Sequence, residues 1–188
     1  MATPEISVDV DLSGLHQFWA RVDAELNNQR TGPVEKAIKQ WGVRYRSFVQ
    51  ERFDKFSKGG GDWPQLAAST LARRRKGKRP KGKGTVEAVK ASILRDMGIL
   101  FAVLAPVFSG KPGALQEHIP FGIRVGFGGP HKHGSGGNAT IADIASFHND
   151  GAGHLPKREI IVAPLANVVT AMANDMEKAL KQLGDEIK

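Results

Sequence analysis

The chain has 188 residues, 40% hydrophobic and 24% charged, which is ordinary for one globular domain long enough to bury a core. It has no cysteine, which excludes disulfides and thiolate metal sites, and no apolar run near the roughly 18 residues of a membrane-spanning helix. The net charge is +8, but eight bases lie between Arg73 and Lys83 with no acid among them. We therefore expect a single domain, residues 1–188, with an electrically neutral body, one basic segment, no secretory signal and no membrane contact.

Apolar periodicity predicts one strand and two helices at the start of the chain. Residues 5–12 alternate apolar and polar side chains, as a half-buried strand does. Three- and four-residue apolar spacing then predicts a helix over residues 15–26. Pro33 suits the first turn of a second helix, which should run to about Phe56, because the missing N–H would be unpaired there anyway. The predicted buried faces are Leu15, Phe18, Trp19, Val22 and Leu26, then Val34, Ile38, Trp41, Tyr45, Phe48 and Phe56.

The middle of the chain is rich in turn formers. Residues 57–70 form a break in which Trp63, held extended before Pro64, should anchor the loop on the core. A short helix around 66–75 is expected to lead into the basic segment. Residues of about 76–90 mix glycine and proline with like charges, which favours a flexible basic arm. Residues 92–108 are apolar and compatible with either helix or strand, with Gly98 as a break.

The last third alternates short elements with one long helix. We expect a strand over 119–127, a flexible Gly/His loop over about 128–138, and a short helix over 139–153 closed by Asn149-Asp150-Gly151. A brief strand over 158–164 then precedes a helix with the apolar face Leu165, Val168, Val169, Met172, Met176, Leu180 and Leu183. The predicted fold class is α+β, a small, mostly antiparallel sheet packed by two or three amphipathic helices, with extended flexible loops.

Few residues form patterns that carry chemistry. His131 and His133 are spaced to share a transition metal, but acidic ligands are scarce nearby, and a solvated loop that contains histidines is the better explanation. His148 with Asp150 could be an oriented base, but no serine is paired with it in a catalytic pattern, and a helix end accounts for both. The glycine-rich stretches lack the spacing of phosphate-binding loops. The sequence therefore predicts no enzyme, no metal and no cofactor.

The basic segment is the one electrostatic candidate for a contact site. Each of its cations could neutralise a phosphate and release counterions, which gives sequence-independent DNA binding. No aromatic residue lies between Arg73 and Lys90 to stack on bases. An assembly arm against a protein neighbour and a contact with DNA both remain open. The candidate residues are Arg73, Arg74, Arg75, Lys76, Lys78, Arg79, Lys81 and Lys83.

Four motifs resemble, in the same order, those of the phage virion morphogenesis family, the Mu-like tail-completion proteins. They are "WPQLAASTLARRR" (63–75), "ILRDMGILFAVL" (93–104), "IADIASFHNDG" (141–151) and "LPKREIIV" (155–162). Met97 stands where the family has threonine, and Glu159-Ile160 replaces an aromatic step; residues 105–118 and 128–138 look like insertions. The matched positions are Trp63, Pro64, Thr70, Asp96, Gly98, His148, Gly151, Pro156 and Arg158.

The resemblance implies a structural role without catalysis. It implies a bacteriophage protein that completes the tail or joins tail to head, assembled in the bacterial host cytoplasm and carried in the virion neck or tail. Its partners would be other neck and tail proteins and further copies of itself in a ring, expected to be a hexamer, with a sequence-independent contact to DNA in the channel as an addition. Two alternatives stay open: a tail terminator that caps the tail tube and fixes its length, and a small basic nucleic-acid-binding protein.

Overall fold

The computed structural model describes residues 13–27, 30–76, 93–94, 98–105, 110–132, 138–152 and 155–187. Within these ranges the chain forms six helices and a two-stranded antiparallel sheet, about 58% helix and 10% strand, which confirms the expected α+β class. The helices are α1 (Ser13–Leu26), α2 (Pro33–Ser57), α3 (Ala68–Lys76), α4 (Ile99–Val103), α5 (Ile141–Asp150) and α6 (Ala166–Ile187). The strands are β1 (Ala114–Ile119) and β2 (Gly122–Phe127).

Helix α2 is the centre of the molecule and is covered on two sides. On one side it packs against α6, where the Trp41 indole N–H donates to the Met172 carbonyl at 2.8 Å. On the other side it meets the hairpin of β1 and β2, so closely that a Cβ on Gly42 would lie 2.8 Å from the Ile123 side chain. Because α2 is covered on two sides, this 25-residue helix needs apolar or small side chains on more than one face.

The start of α2 is capped by a residue of α1. Pro33 occupies the first turn, as predicted, but Gly32 at the N-cap has no side chain to offer. The fully buried Glu25 carboxylate instead accepts the Val34 N–H at 2.8 Å. A Cβ on Gly32 would lie 1.9 Å from a Glu25 carboxylate oxygen, so only glycine leaves room for this cap. The cap also fixes the angle between α1 and α2, since both ends of the bond are buried.

The apolar core consists of two clusters, one against the N-terminal half of α2 and one against its C-terminal half. Trp63 is 4% exposed and meets Phe53 edge to face with ring centroids 5.1 Å apart, which confirms that it anchors its loop. The larger cluster is Val49, Phe53, Trp63, Ile93, Leu100, Val103, Leu104, Ile141, Ala145 and Ile160. The smaller cluster is Val22, Val34, Ala37, Ile38, Ala179 and Leu183.

A buried arginine joins three elements inside this core. Arg46 is 1% exposed, and its guanidinium donates to the carbonyls of Val103 at 2.9 Å and Leu115 at 2.8 Å. Its Nε donates to the Gln116 side-chain oxygen at 3.0 Å. Burial lowers the pKa of Arg46 from its usual high value. These hydrogen bonds tie α2 to the end of α4 and to β1. An apolar side chain has no N–H group and could not bind the carbonyl groups of these elements.

The hairpin corrects the predicted strand over 119–127. Only residues 122–127 belong to β2, and Ile119 ends β1, with the register running from Ala114 opposite Phe127 to Ile119 opposite Gly122. A two-residue turn joins them, with Phe121 at a left-handed φ of 62°. β1 was missed because the polar run Gln116-Glu117-His118 interrupts any apolar alternation.

The predicted strand over 158–164 is wrong, because no ladder forms at these residues. Side chains take the place of a neighbouring strand. The Asn149 side-chain oxygen accepts the N–H groups of Ile160 at 3.0 Å and Ile161 at 3.1 Å. The Tyr45 hydroxyl donates to the Val162 carbonyl at 2.8 Å. The backbone of this segment is therefore satisfied without a sheet.

The remaining predictions have mixed outcomes. The helices starting near residues 15, 33, 66, 139 and 165 all form, and the ambiguous stretch 92–108 contains α4, preceded by Gly98 at a φ of 69°. The predicted strand over 5–12, residues 77–90 of the basic arm and residues 133–137 of the Gly/His loop lie outside the described residues. None of the helices in the described ranges is both long and apolar enough to span a bilayer.

Candidate interaction surface

Three of the family-motif segments meet at Arg158. Its guanidinium donates twice to the Pro64 carbonyl, at 3.2 and 2.9 Å, and the side chain is 4% exposed. Its own N–H donates to the His148 carbonyl at 2.7 Å. The Trp63 indole N–H donates to the Glu159 carbonyl at 3.3 Å. Positions 63–64, 148 and 158, far apart in the chain, thus form one joint between the Trp63 loop, α5 and the segment before α6.

The end of α5 completes this joint. The helix begins with a capping box between Thr140 and Asp143 and ends at Gly151, whose φ of 75° suits glycine. A Cβ on Gly151 would lie 3.0 Å from the backbone nitrogen of Lys157. Asn149, two residues earlier, accepts the backbone N–H groups of residues 160 and 161. The predicted helix closure is confirmed, and its residues position the following segment.

The other motif positions lie apart from the joint. Thr70 is half-buried in α3, Gly98 precedes α4, and Pro156 is exposed. Asp96 lies outside the described residues. Among the residues that the structure describes, no group of three or more His, Asp or Glu side chains is placed to hold a metal ion. His133, one of the two histidines considered as ligands, is not among them.

The basic segment is only partly described. Arg73, Arg74, Arg75 and Lys76 form the last turn of α3. Lys78, Arg79, Lys81 and Lys83 lie beyond the described residues. Its contact with a protein neighbour or with DNA therefore stays a prediction.

Two apolar grooves flank the segment that leads into α6, and sequence reasoning identified neither. The first, the hairpin groove, has a volume of about 730 Å³ and runs between β2 and residues 161–164 over Trp41, Tyr45 and Met172. The second, the helix groove, has a volume of about 640 Å³ and lies between the C-terminal half of α2 and residues 162–165. Val162 and Ala163 separate the two. The helix groove is lined by Phe48, Glu51, Arg52, Lys55, Phe56, Val162, Ala163 and Leu165.

The helix groove has an apolar floor and a cationic rim. Arg52 lies over the Phe56 ring, 4.3 Å from its centroid, and donates to the Glu159 carbonyl. Burial lowers the pKa of the Arg52 guanidinium, and the charges of Glu159 and Asp62 partly offset this. Lys55 is exposed beside it, while Glu51 is the one acid in the lining. Apolar concave surface of this kind with a charged rim is typical of binding sites.

Two helices carry apolar stripes that the body covers only in part. On α1 the stripe runs through Leu15, Trp19, Val22 and Leu26, at helical spacing. Val22 is 5% exposed, but Leu15 is 53% and Trp19 57% exposed. We call Leu15 and Trp19 the α1 knob.

The stripe of α6 shows the same division. Its C-terminal half is covered, with Leu183 fully buried and Ala179 6% exposed. At the N-terminal end, Leu165 is 60% and Val169 48% exposed, and Leu165 belongs to the helix groove. The periodicity predicted one buried face for each helix, and the tertiary structure covers only half of each.

No family model, curated protein or solved structure matches this chain. The resemblance to the phage family therefore rests on the four motifs and their order.

Proposed function

We propose that this chain is a bacteriophage structural protein that completes the tail or joins tail to head, acting by shape and without catalysis. It would be synthesised in the bacterial cytoplasm and incorporated into the virion, as a ring of copies in contact with other neck or tail proteins. The single observation that carries the proposal is the order of the four motifs along the chain.

The joint at Arg158 supports the proposal. Residues 63–64, 148 and 158, which carry part of the motif likeness, contact one another in the fold. They do so through buried backbone and guanidinium hydrogen bonds. Positions that define a fold in this way are expected to recur in a structural family, whatever surface each member presents to its partners.

The open apolar surface is a second support. An assembly subunit needs surfaces that remain uncovered until its partners arrive, and exposed apolar surface is a common mark of such sites. The two grooves and the exposed ends of the α1 and α6 stripes have this character. They favour an assembly subunit over a protein that works alone.

The proposal is tested in a phage that encodes this chain, with a stop codon placed in its gene. Negative-stain electron microscopy of the lysate should show full heads beside separate tails of normal length. Over-long tails would move the assignment to a tail terminator, the first alternative. Normal infectious particles would refute the phage assembly role.

The second alternative, a small nucleic-acid-binding protein, is favoured by the eight clustered bases of residues 73–83. It requires tight binding to duplex DNA at low salt that falls steeply as salt rises, since the binding would come from counterion release. A variant with all eight replaced by glutamine should then bind no DNA in a fluorescence anisotropy titration. Unchanged binding by that variant would remove this alternative.

A further inference from the structure

We propose that residues 161–164, which we call the strap, close onto the free edge of β2 as a short third strand, so that the hairpin groove alternates between an open and a closed state. The structure describes the open state. In it the strap lies across the hairpin groove from β2 and separates that groove from the helix groove. The inference goes beyond the proposed phage role and does not depend on it, because it concerns a movement within one copy of the chain.

Strand β2 has an unpaired edge. The Gly128 N–H donates to the Gly113 carbonyl, and bonded pairs alternate with unbonded ones in an antiparallel ladder, so Arg124 directs its backbone groups towards β1. Ile123 and Val125, on either side of it, direct theirs away from β1. No residue in the described ranges bonds to these outward N–H and C=O groups. An unpaired edge of this kind is a template for a further strand.

The hairpin groove runs along this edge and not over one face of the hairpin. Side chains alternate between the two faces of a strand, yet Ile123, Arg124 and Val125 all line the groove. Apart from Ile119 at the turn, no residue of β1 lines it. The groove volume of about 730 Å³ therefore lies on the side of β2 where a third strand would pair.

The strap is the segment placed to fill that space. Ile160 and Ile161 share a smaller cavity with Phe127, the last residue of β2, whereas residues 162–164 line the hairpin groove together with residues 122–125. The order of these contacts makes the strap antiparallel to β2. Two of its first three residues are β-branched, which favours a strand. Because the chain tethers the strap beside β2, its effective concentration there is higher than that of a peptide in dilute solution.

A bend and one hydrogen bond hold the strap open. The chain bends at Ile161, whose N–H is bound by Asn149, and beyond the bend the Tyr45 hydroxyl donates to the Val162 carbonyl at 2.8 Å. Burial raises the pKa of Tyr45, so the hydroxyl stays protonated and able to donate. Among the described side chains, Tyr45 alone bonds to residues 162–164. Without it the Val162 carbonyl loses its partner in the open state, which favours closure onto β2.

Closure changes both grooves at once. Val162 and Ala163 line the hairpin groove on one side and the helix groove on the other, so a strap that moves onto β2 fills the first groove and widens the second. The strap is therefore a two-state element of the kind through which one surface influences another.

The test follows disulfide formation in the purified full-length chain, which has no cysteine of its own. Val125→Cys is combined with Ala163→Cys, and in a second variant with Val162→Cys, so that the result does not depend on the exact register. A disulfide needs Cα atoms within about 7 Å, and in the open state the groove lies between these positions. Arg124→Cys with Ala163→Cys is the matched control, because Arg124 projects from the opposite face of β2.

One of the two Val125 pairs should form a disulfide under mild oxidation, as measured by mass spectrometry. Adding Tyr45→Phe, which keeps the ring and removes only the hydroxyl, should speed this disulfide about fivefold, the shift that corresponds to one net hydrogen bond. The control pair should oxidise more slowly and at the same rate in both backgrounds. Circular dichroism shows whether each variant folds, and Tyr45→Leu replaces Tyr45→Phe if the latter does not.

Three results would overturn the inference. They are the absence of a disulfide from both Val125 pairs in both backgrounds, an unchanged rate when the Tyr45 hydroxyl is removed, and a control pair that oxidises as fast as the Val125 pairs. The last would show that the segment moves without pairing as a strand. Because the experiment follows a movement within one purified chain, its outcome and the stop-codon phenotype can fail separately.

Discussion

Replacement of Arg46 by methionine tests whether the buried guanidinium holds the hairpin and α4 to α2. Methionine keeps a flexible apolar chain of similar reach but has no N–H group to donate. The carbonyls of Val103 and Leu115, now accepting at 2.9 and 2.8 Å, would lose these donors, as would the Gln116 side chain. The apolar packing around the site would be largely retained.

The size of the effect follows from the orphaned acceptors. The Leu115 carbonyl keeps its partner across the hairpin, but each buried acceptor left without a partner costs about 1–3 kcal/mol, so the Val103 carbonyl and the Gln116 side-chain oxygen together cost about 2–6 kcal/mol. Removing a buried charge offsets part of this, because the guanidinium no longer has to be desolvated on folding. We expect a net loss of about 2–4 kcal/mol, a large share of the ~5–15 kcal/mol that stabilises a typical domain.

Urea unfolding followed by circular dichroism measures this loss. With a slope of about 2 kcal/mol per molar urea, the midpoint should fall by roughly 1–2 M. Arg44→Met is the control, because Arg44 lies two residues away on α2 and its ion pair with Asp175 is partly exposed, so its loss should lower the midpoint less than loss of the buried Arg46 contacts. Equal midpoints for the two variants would refute the role assigned to Arg46.

Three further predictions concern helix ends. Gly151→Ala should destabilise the fold by about 1–2 kcal/mol, since the left-handed φ disfavours a Cβ. The control Gly14→Ala, which has open space around it on α1, should be neutral or stabilising. Thermal unfolding compares the two variants, and equal melting temperatures would contradict the role of Gly151 as the helix cap. Glu25→Ala should cost about 1–2 kcal/mol by removing the cap of α2, and an unchanged urea midpoint would exclude it. Hydrogen bonds from Thr140 lower the pKa of Asp143, so its stabilisation is present above the unfolded-state pKa near 4 and is lost as pH falls through the lower folded-state value. Asp143→Asn should therefore flatten the decline in melting temperature below pH ~4, and an identical decline would contradict the capping box.

The helices could be read from the sequence because their determinants are local. Apolar spacing and Pro33 located α2, and Asn149-Asp150-Gly151 located the end of α5, since caps and periodicity involve residues within one or two turns. The concentration of charge between Arg73 and Lys83 is likewise a property of the sequence alone.

The sheet and the segment before α6 depended on distant residues. β1 is polar at its centre and becomes a strand only because β2 pairs with it and Arg46 binds its Leu115 carbonyl. Residues 158–164 have a good strand composition, but Asn149 and Tyr45 satisfy their backbone groups first. Strand formation requires a partner, and composition does not reveal which partner is within reach.

The candidate surface was decided by tertiary structure for the same reason. From the sequence, the stripes of α1 and α6 predict buried faces and nothing about how much of each is covered. Coverage depends on where the helices cross, and α1 and α2 cross α6 where their apolar side chains pack into the smaller cluster. The sequence by itself determined the helices, the fold class and the location of charge. Only the tertiary structure decided which apolar residues stay exposed, because the burial of a side chain depends on which other elements pack against it.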